Sequence, residues 1–346
     1  MEVKIPSYVY IQKNAINKLS KVLERIGSQN PVMLTDGIVR ELMAEKIEKL
    51  PFGGIFIVEK ASILQARDVV LNVGYGDVDA VVGIGGGKVL DVAKVVATEL
   101  NAEFVSVPTT ASHDGIASPV ASFKENGKPI SISTKPPIAV IADTELIKSC
   151  PKRLIHSGFG DLISNITAVK DWRLARDLTG ESYNEVAVAI ASMPAHLMVK
   201  KAKEHGFRLE DDIETLLRGL IMSGVAIAIA GSSRPASGAE HKFSHALDYL
   251  GYGSGTHGEQ VGLGTIIFEY FYEKAYNDGD WGLIRESLKA VGAPTKAEEI
   301  GLSEEQVLEA LSYAKKIRRK RFTILEALDL SKEDFEKALR ETEIVD

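Results

Sequence analysis

The chain has 346 residues, of which 45% are hydrophobic and 26% are charged, and its formal net charge is −7. This composition is that of an ordinary globular protein, and the length predicts two domains. The acidic total disfavours nucleic acid and anionic membrane surfaces as main partners. The single cysteine, Cys150, cannot form an internal disulfide, and no apolar signal segment follows Met1, so we expect a cytoplasmic protein.

From residue 31 to residue 142, short β-branched runs alternate with amphipathic segments. This alternation predicts a parallel sheet with helices on both faces. The Asn126-Gly127 pair, between two such runs, predicts a β-hairpin. The predicted strands are 32–35, 55–58, 80–84, 104–107, 118–123, 129–133 and 137–142, and the predicted helices are 38–50, 62–73 and 88–100.

A glycine-rich turn joins the strand 80–84 to its helix, where residues 83–91 read G-I-G-G-G-K-V-L-D. Glycines let a phosphate approach the backbone closely, and the start of the helix offers free N–H groups. The spacing matches neither the dinucleotide-binding pattern G-x-G-x-x-G nor Walker A, because Lys88 and Val89 replace the Gly and the Ser/Thr that those patterns require. Nucleotide binding and tight packing both remain open as explanations.

Two further features follow strands of the same predicted sheet. Asp36 follows the first strand, where a carboxylate either accepts from a ribose hydroxyl or caps the next helix. Residues 108–118 form a long polar loop that contains His113 and Asp114. Because loops beyond the carboxyl ends of parallel strands bind ligands, we predict a functional loop here.

After Pro151 the apolar periodicity becomes helical, so we place the domain boundary near residue 150, with domains at 1–150 and 151–346. The apolar run 219–231 is too short to span a bilayer and indicates a buried helix. The basic run 315–321 is predicted to be a solvated helix face. The predicted helices are 155–177, 182–205, 209–230, 239–250 and 260–276, and capping motifs at Ser303 and Ser331 open two more.

Three of the seven histidines fall within the segment 236–260. His241 and His245 are four residues apart and share one helix face, and His257 follows a glycine-rich break. Imidazole is a common zinc ligand, although such pairs also occur as ordinary surface or core histidines. Asp161, which follows Gly-Phe-Gly and is predicted to open a helix, adds a carboxylate. Asp161, His241 and His257 thus form a candidate metal set with room for a substrate oxygen.

Five segments, in this order, resemble the sn-glycerol-1-phosphate dehydrogenase family. This family is related to glycerol dehydrogenases, iron-dependent alcohol dehydrogenases and 3-dehydroquinate synthases. The resemblance implies an α/β N-terminal Rossmann-like domain with a parallel sheet and an all-α C-terminal domain, the dehydroquinate synthase-like architecture, with zinc in the cleft between them. The segments are GIGGGKVLD (83–91), VPTTASHDG (107–115), GFGDLISN (158–165), SGAEHKFSH (237–245) and THGEQV (256–261).

The resemblance also implies roles for individual residues. Asp161, His241 and His257 would hold one zinc ion per subunit. Asp114 and His245 are implied to be catalytic and, together with Asp161, to bind the substrate. The implied NAD(P) contacts are Asp36, Gly85, Gly86, Gly87, Lys88, Val89, Leu90, Asp91, Thr109, Thr110, Ala111, Ser112 and Ser118.

One departure distinguishes this sequence from the iron-dependent relatives, which carry a fourth ligand, a histidine, four residues after the aspartate. Asn165 stands at that position here, which favours zinc over iron. The implied reaction is the reduction of dihydroxyacetone phosphate by NADH or NADPH to sn-glycerol 1-phosphate, the first step in the synthesis of the archaeal phospholipid backbone. The alternatives are a glycerol dehydrogenase acting on an unphosphorylated polyol, a 3-dehydroquinate synthase (a lyase) and a nucleotide-binding module without catalysis.

The phosphate group of such a substrate needs hydrogen-bond donors. Arg234, Lys128 and His113 are the candidates in the sequence. Asp36 favours NAD, whereas Arg40, one turn later, is placed to meet the 2′-phosphate of NADP. A homo-oligomer is compatible with the sequence.

Overall fold

The computed structural model describes residues 3–47, 50, 52–74, 78–125 and 128–346. The chain divides into two compact units, residues 1–151 and 152–346. The division falls at Pro151, beside the boundary near residue 150 that the change of periodicity predicts. The first unit is built on a parallel sheet and the second contains helices.

The first unit contains a six-stranded sheet in which every neighbouring pair of strands is parallel. The second, fourth and eighth strands are buried at every residue, as expected for a parallel sheet covered on both faces. The strands are β1 (Tyr8–Gln12), β2 (Pro31–Thr35), β3 (Gly54–Ile57), β4 (Ala80–Gly85), β5 (Glu103–Pro108), β6 (Val120–Glu125), β7 (Lys128–Ser133) and β8 (Ala139–Asp143).

The helices of the first unit correct one prediction. Residues 38–47 of the helix predicted over 38–50 form two short helices, because the chain turns at Met43, and residues 48 and 49 lie outside the described residues. The helices are α1 (Leu19–Arg25), α2 (Gly37–Leu42), α3 (Ala44–Ile47), α4 (Ile63–Val73), α5 (Gly87–Glu99) and α6 (Thr144–Lys148). Neither β1 nor α1 was predicted from the sequence.

The predicted hairpin is present as an antiparallel pair, β6 with β7, in which Phe123 lies opposite Ile130. Its turn, Asn126-Gly127, lies outside the described residues. The two-stranded sheet is separate from the parallel one. The hairpin therefore extends the loop that follows β5 rather than widening the main sheet.

The strand order of the main sheet is β1-β8-β5-β4-β2-β3. From the adjacent pair β2 and β4, the chain continues outward in opposite directions, to β3 on one side and to β5 on the other. Ligands of open α/β sheets bind beyond the carboxyl ends of the strands at such a reversal. Asp36 follows β2 and Gly86 follows β4, so the topology places both at this point.

The second unit contains nine α-helices and two short 3-10 helices within its described residues, which cover the whole unit. Helices α9 and α10 have the predicted bounds, whereas α7 begins at Lys152 and α11 at His257. The helices are α7 (Lys152–Thr179), α8 (Glu185–His205), α9 (Leu209–Ala230), α10 (Ala239–Leu250), α11 (His257–Tyr276), α12 (Trp281–Val291), α13 (Glu304–Ala314), α14 (Ile324–Ala327) and α15 (Lys332–Glu341).

Two expectations for this unit are wrong. Asp161 does not open a helix, because α7 already begins at Lys152 and the Gly-Phe-Gly segment is helical. The basic run 315–321 is not a helix face: α13 ends at Ala314, and the run forms an irregular turn before α14. The run is also not fully solvated, because Arg318 and Arg321 within it are half-buried.

Helix α9 is long and apolar enough to cross a membrane, the one such helix in the described part of the chain. The run 219–231 is only its second half, so the argument from length does not hold. However, 56% of the qualifying window is buried within the protein, as in the core helix of a globular fold. Asp212 near its start is also buried, and its carboxylate binds Lys201 at 2.7 Å.

Helices α7 and α11 approach each other with almost no side chain between them. A Cβ atom added at Gly160 would lie 2.2 Å from the carbonyl oxygen of Gly258, and one added at Gly258 would lie 1.8 Å from that of Ser157. The hydroxyl of Ser157 also accepts the N–H of Gly258 at 3.1 Å. The two glycines therefore permit a backbone contact that no other residue type would allow.

We expect Gly160→Ala to lower the free energy of unfolding by about 2–3 kcal/mol, because the new methyl group overlaps a backbone carbonyl that cannot rotate away. Denaturant unfolding measures the change. Gly282→Ala is the matched control, since its nearest neighbour would be an oxygen of Asp280 at 4.0 Å. The control should be neutral or slightly stabilising. Equal stability of the two variants would contradict the contact.

Candidate active site

Three side chains from three helices of the second unit converge on one point. The Oδ1 atom of Asp161 lies 3.7 Å from Nε2 of His241 and 3.6 Å from Nε2 of His257. Ligands of a tetrahedral zinc ion with bonds of 2.0–2.1 Å are about 3.4 Å apart, so a small contraction would suit the ion. Asp161 and His241 are buried and His257 is half-buried. The structure brings the predicted metal set together, and its residue types fit a divalent ion.

Both imidazoles are oriented by hydrogen bonds at the opposite nitrogen. Nδ1 of His241 lies 2.9 Å from a carboxylate oxygen of Glu240, and Nδ1 of His257 lies 3.2 Å from the hydroxyl of Ser244. Ser244 in turn donates to Gln260 at 2.7 Å. Such contacts fix the ring and leave Nε2 for a metal.

The position of His257 follows from the start of its helix. The N–H of Thr256 donates to the carboxylate of Glu259 at 2.6 Å, which is one half of a capping box. Arg153 holds the same carboxylate with Nε–O distances of 2.8 and 3.0 Å. His257 is thereby fixed as the first residue of α11, directly before the glycine that contacts α7.

A second carboxylate lies behind Glu240 in the core of the unit. Asp171 is fully buried and accepts the hydroxyl of Tyr272 at 2.7 Å and the N–H of Ala239 at 2.6 Å. Burial, together with the charge of Glu240, raises the pKa of Asp171 to about 7. The metal set is therefore backed by acidic groups whose burial is unfavourable without a nearby positive charge.

The protonation of His241 reflects the same surroundings. Burial alone would lower its pKa, but the hydrogen bonds of the Asp161 and Glu240 carboxylates outweigh that effect and raise the pKa of His241 to about 9 in the metal-free protein. At neutral pH a metal ion would therefore have to displace a proton from this ring in order to bind it.

His245 differs from the other two histidines. Its ring centre lies 6.4 Å from that of His241 and 6.0 Å from that of His257. Burial lowers its pKa well below the usual value, and the charge of Arg318 adds to the effect. Its Nδ1 atom is buried with no hydrogen-bond partner among the described residues. His245 is a neutral ring beside the metal set with one nitrogen left for a ligand.

Asn165, four residues after Asp161, is hydrogen-bonded inside the helical core. Its amide nitrogen donates to the carbonyl of Ala191 at 3.2 Å and to the hydroxyl of Ser223 at 3.1 Å. These bonds tie α7 to α8 and α9. The asparagine is therefore a packing residue, and among the described residues the candidate metal set consists of Asp161, His241 and His257.

The glycine turn of the first unit forms an open helix start. Gly86 is the N-cap of α5 and has no side chain to occupy the first-turn N–H groups. A Cβ atom at Gly86 would meet only Thr110, at 3.5 Å, whereas one at Gly87 would lie 2.2 Å from Nε2 of His113. The backbone around this turn fits the close approach of a pyrophosphate.

The side chains of the predicted cofactor residues do not all face one site. Asp36 caps α2 by accepting the N–H of Val39 at 2.9 Å, so one of its two proposed roles is observed. Asp91 is bound to Lys94 and to the N–H of Ser122, both at 3.1 Å. Several others are buried or bound within the protein and would reach a ligand only through their backbone: Val89, Leu90, Thr109, Ala111 and Ser118.

The remaining predicted contacts lie in the loop after β5, except Lys88, which lies on α5. The N–H of Thr109 donates to the carbonyl of Gly85 at 3.0 Å and holds the loop against the glycine turn. The hydroxyls of Thr110 and Ser112 are 3.3 Å apart, and both residues are half-buried. Asp114 begins a short 3-10 turn, also half-buried. Lys88 is exposed and donates to the carbonyl of Glu59 at 3.3 Å.

Arg234, the first candidate for binding the substrate phosphate, is already paired with a carboxylate of the protein. The guanidinium is buried, forms a paired contact with the carboxylate of Glu181 and donates to the carbonyl of Phe322 at 2.6 Å. His113 lies at the glycine turn, where Nδ1 accepts the N–H of Gly115 at 3.0 Å. Lys128 begins β7 as an exposed residue. Arg234 therefore cannot serve without losing its carboxylate partner.

Sequence reasoning missed the residues that support the metal set. Glu240 immediately precedes His241, and Ser244 lies three residues after it on the same helix. The sequence positions of Glu240 and Ser244 are evident, but their contacts with the imidazoles depend on how α10 packs against α7 and α11. The half-buried arginines of the run 315–321 were missed because the run was taken as solvated.

Comparison with known proteins agrees with this geometry. A family model for iron-containing alcohol dehydrogenases matches residues 10–151. The glycerol-1-phosphate dehydrogenase (NAD(P)+) of Archaeoglobus fulgidus is 62% identical over 98% of this chain and 98% of its own length. This chain belongs to the glycerol-1-phosphate dehydrogenase family. The family member of Pyrococcus horikoshii is 42% identical over 99% of both chains. The resemblance inferred from the five segments is thus confirmed.

Solved structures agree on the fold. A probable glycerol dehydrogenase from Sinorhizobium meliloti matches with a TM-score of 0.78 and 22% identity, over 99% of this chain and 97% of its own. Glycerol dehydrogenase from Schizosaccharomyces pombe matches with a TM-score of 0.79 and 18% identity, over 99% and 90%. The predicted fold class, a parallel-sheet domain followed by a helical domain, is confirmed.

Gly86→Ala should weaken NAD(P)H binding at least about tenfold without loss of stability, because its added methyl group meets the ligand rather than the protein. Fluorescence titration with NADH and thermal unfolding measure the two effects. Gly87→Ala is the contrasting variant and should also lower the melting temperature, since its Cβ would overlap His113. Unchanged NADH affinity in Gly86→Ala would place the pyrophosphate elsewhere.

Glu240→Gln should lower zinc affinity about 10- to 100-fold, because the amide retains an acceptor for His241 but removes the charge behind it. Chelator competition measures the affinity. Glu286→Gln, at an exposed position of α12, should leave zinc affinity unchanged. If both variants bound zinc as tightly as the unaltered protein, the Glu240 contact would have no role in metal binding.

Zinc affinity should rise with pH, because the proton on His241 must leave before Nε2 can bind the ion. This proton alone predicts about a tenfold gain per pH unit below the pKa of about 9 and a plateau above it. Calorimetric titration in buffers of different protonation enthalpy counts the protons released. An affinity that does not change between pH 7 and pH 9 would rule out the raised pKa.

Proposed function

We propose that the protein reduces dihydroxyacetone phosphate to sn-glycerol 1-phosphate, with NADH or NADPH as the reductant, in the synthesis of the phospholipid backbone of archaeal membranes. The observation that carries this proposal is the 62% identity to the Archaeoglobus fulgidus glycerol-1-phosphate dehydrogenase over nearly the whole of both chains. The convergence of Asp161, His241 and His257 supports it, since a simple nucleotide-binding module would not need a metal set.

The reaction adds two electrons and two protons to a ketone. One hydride goes to the carbonyl carbon and one proton to its oxygen, while NAD(P)H becomes NAD(P)+. When bound, NAD(P)H supplies the hydride and a divalent ion at the Asp161 set supplies Lewis-acid polarisation of the carbonyl. The chain itself must hold the substrate in one orientation, which determines the stereochemistry of the new hydroxyl.

His245 is suited to substrate binding because its ring is neutral and its Nδ1 has no partner among the described residues. A neutral imidazole either accepts a hydrogen bond from a substrate hydroxyl or donates one, depending on its tautomer. Asp114, in the loop after β5, is the second proposed contact. Both are therefore proposed to orient the hydroxy-ketone and to relay the proton, with Asp161 contributing as ligand and substrate contact.

Zinc is the proposed ion, one per subunit. Two imidazoles and one carboxylate are ordinary zinc ligands, and a set of three leaves coordination positions for a substrate. The amide of Asn165 replaces the fourth ligand of the iron-dependent relatives and is hydrogen-bonded elsewhere. These observations favour zinc over iron at this set.

Of the proposed NAD(P) contacts, Asp36 follows β2 and the glycine turn follows β4, the two strands at which the strand order reverses. Asp36 retains a second carboxylate oxygen for an adenosine ribose, and Arg40 on α2 is exposed. The curated relatives carry both cofactors in their name, and we propose the same dual use here. A cytoplasmic location completes the proposal, and a homo-oligomer is compatible with it.

The deciding experiment follows NAD(P)H oxidation with dihydroxyacetone phosphate and with dihydroxyacetone, and determines the chirality of the product. We expect the phosphorylated substrate to be preferred and the product to be the sn-1 enantiomer. A preference for dihydroxyacetone would instead support a glycerol dehydrogenase, and formation of 3-dehydroquinate without net NAD+ production would support the synthase.

Asp161→Asn should reduce both bound zinc and turnover, the latter more than about 100-fold, because an amide is a weaker ligand than a carboxylate. Metal analysis and steady-state assays measure the two quantities. Asp177→Asn, at an exposed position of the same helix, is the control and should retain both. Near-normal activity with zinc bound in Asp161→Asn would refute the proposed ligand set.

A further inference from the structure

The glycine turn after β4 is packed against the loop that follows β5. Each of the three consecutive glycines of the turn meets one residue of that loop. The contacts are the 3.0 Å hydrogen bond from the N–H of Thr109 to the carbonyl of Gly85, the approach of Thr110 to within 3.5 Å of a Cβ atom built at Gly86, and the packing of the His113 ring on Gly87. The cofactor turn and the loop that carries Asp114 are therefore in direct contact within the first unit.

The ring of His113 occupies space that two glycines leave open. A Cβ atom added at Gly87 would lie 2.2 Å from Nε2 of this ring, and one added at Gly115 would lie 2.3 Å from Cε1. In both cases the three nearest atoms all belong to the ring. Neither glycine has a positive φ, so the backbone conformation does not require glycine at either position. The two glycines therefore make room for the imidazole.

A hydrogen bond fixes the orientation of this imidazole. Nδ1 of His113 accepts the N–H of Gly115 at 3.0 Å and so caps the 3-10 turn Asp114–Ile116. The opposite nitrogen, Nε2, lies against Gly87 at the start of α5. One edge of the ring thus holds the turn of the loop, and the other edge contacts the glycine turn.

Asp114 directly follows His113 and belongs to the same closed segment. Its carbonyl accepts the N–H of Ala117 at 3.0 Å and the N–H of Ser118 at 3.1 Å. These bonds close residues 113–118 into a compact turn. A shift of the ring relative to Gly87 would therefore carry Asp114 with it.

We propose that His113 is a positioning residue for hydride transfer, because its ring fixes Asp114 relative to the glycine turn. This inference rests on the proposed function, in which the turn binds NAD(P)H and Asp114 contacts the hydroxy-ketone. Reacting atoms must lie about 3–3.5 Å apart, and a misplacement of about 1 Å lowers a rate about 100-fold. The ring acts on the reaction through Asp114 and contacts neither reacting atom.

His113→Asn tests this role in solution. Asparagine retains an acceptor for the N–H of Gly115 but is too short to reach Gly87. We expect kcat on dihydroxyacetone phosphate to fall about 10- to 100-fold, while the dissociation constant of NADH changes less than about threefold. Steady-state assays and fluorescence titration measure the two quantities. His196→Asn, at an exposed position of α8, is the matched control and should retain both.

Two kinetic results would overturn the proposal. One is an unchanged kcat in His113→Asn. The other is a large rise in the dissociation constant of NADH with kcat retained, which would instead make the ring a direct contact of the pyrophosphate.

The contact between the ring and the glycine turn is tested by a stability cycle that needs no substrate. Gly87→Ala should lower the melting temperature by at least about 3 °C, because the added methyl group overlaps the ring. In a His113→Ala background the same change should be neutral or slightly stabilising, since the overlapping atoms are gone and alanine favours a helix over glycine. An equal loss in both backgrounds would overturn the proposal.

Hydrogen exchange tests whether the ring connects cofactor binding to the loop. NADH should slow amide exchange in residues 113–118 of the unaltered protein, and this protection should be lost in His113→Asn, an effect that a merely structural role would not produce. Protection retained in the variant would contradict the inference. If dihydroxyacetone phosphate proves not to be a substrate, the unaltered protein shows no turnover, whereas the stability cycle and the exchange experiment still test His113. Failure of the proposed function and failure of this inference are therefore distinguishable.

Discussion

The contact between Gly160 and Gly258 is the constraint on which the second unit depends. Each glycine adjoins a proposed metal ligand, Asp161 on one helix and His257 on the other, so the approach of two backbones determines the distance between two side chains. The third ligand, His241, comes from α10, which is tied to α7 through the bond between Ala239 and Asp171. A metal set of this kind is a consequence of helix packing, and it needs no loop to close around the ion.

In the first unit, the candidate ligand site is formed by backbone atoms rather than by converging side chains. There the chain continues outward in opposite directions from β2 and β4, and the glycine turn after β4 presents backbone N–H groups rather than a set of side chains. Several residues in the predicted cofactor segments have side chains that point into the protein or bind within it, as Asp91 does with Lys94. Such a turn can accept a dinucleotide because its glycines lack the Cβ atoms that would keep a pyrophosphate away from the backbone N–H groups.

Much of this organisation could be read from the sequence, and the failures have one physical origin. Helices α9 and α10 were predicted with the observed bounds because their apolar periodicity is local, and the three proposed ligands were identified by residue type and spacing. The expectation that Asp161 opens a helix was wrong because Gly158 and Gly160 suggest a break, whereas the small size of Gly160 accommodates Gly258, about 100 residues later in the chain. Arg234 and the run 315–321 were misjudged for the same reason, since their partners lie far away in sequence.

The candidate metal set, Asp161, His241 and His257, also bears on which ions the protein could hold. Because Asn165 is committed to Ala191 and Ser223, the protein cannot add a fourth side chain from that position to discriminate between ions. Two imidazoles and one carboxylate accept several divalent first-row ions, with zinc and copper above iron and manganese in intrinsic affinity. Any ion bound at this set in a purified sample would therefore reflect the supply of metals in the cell or growth medium as well as the preference of the site.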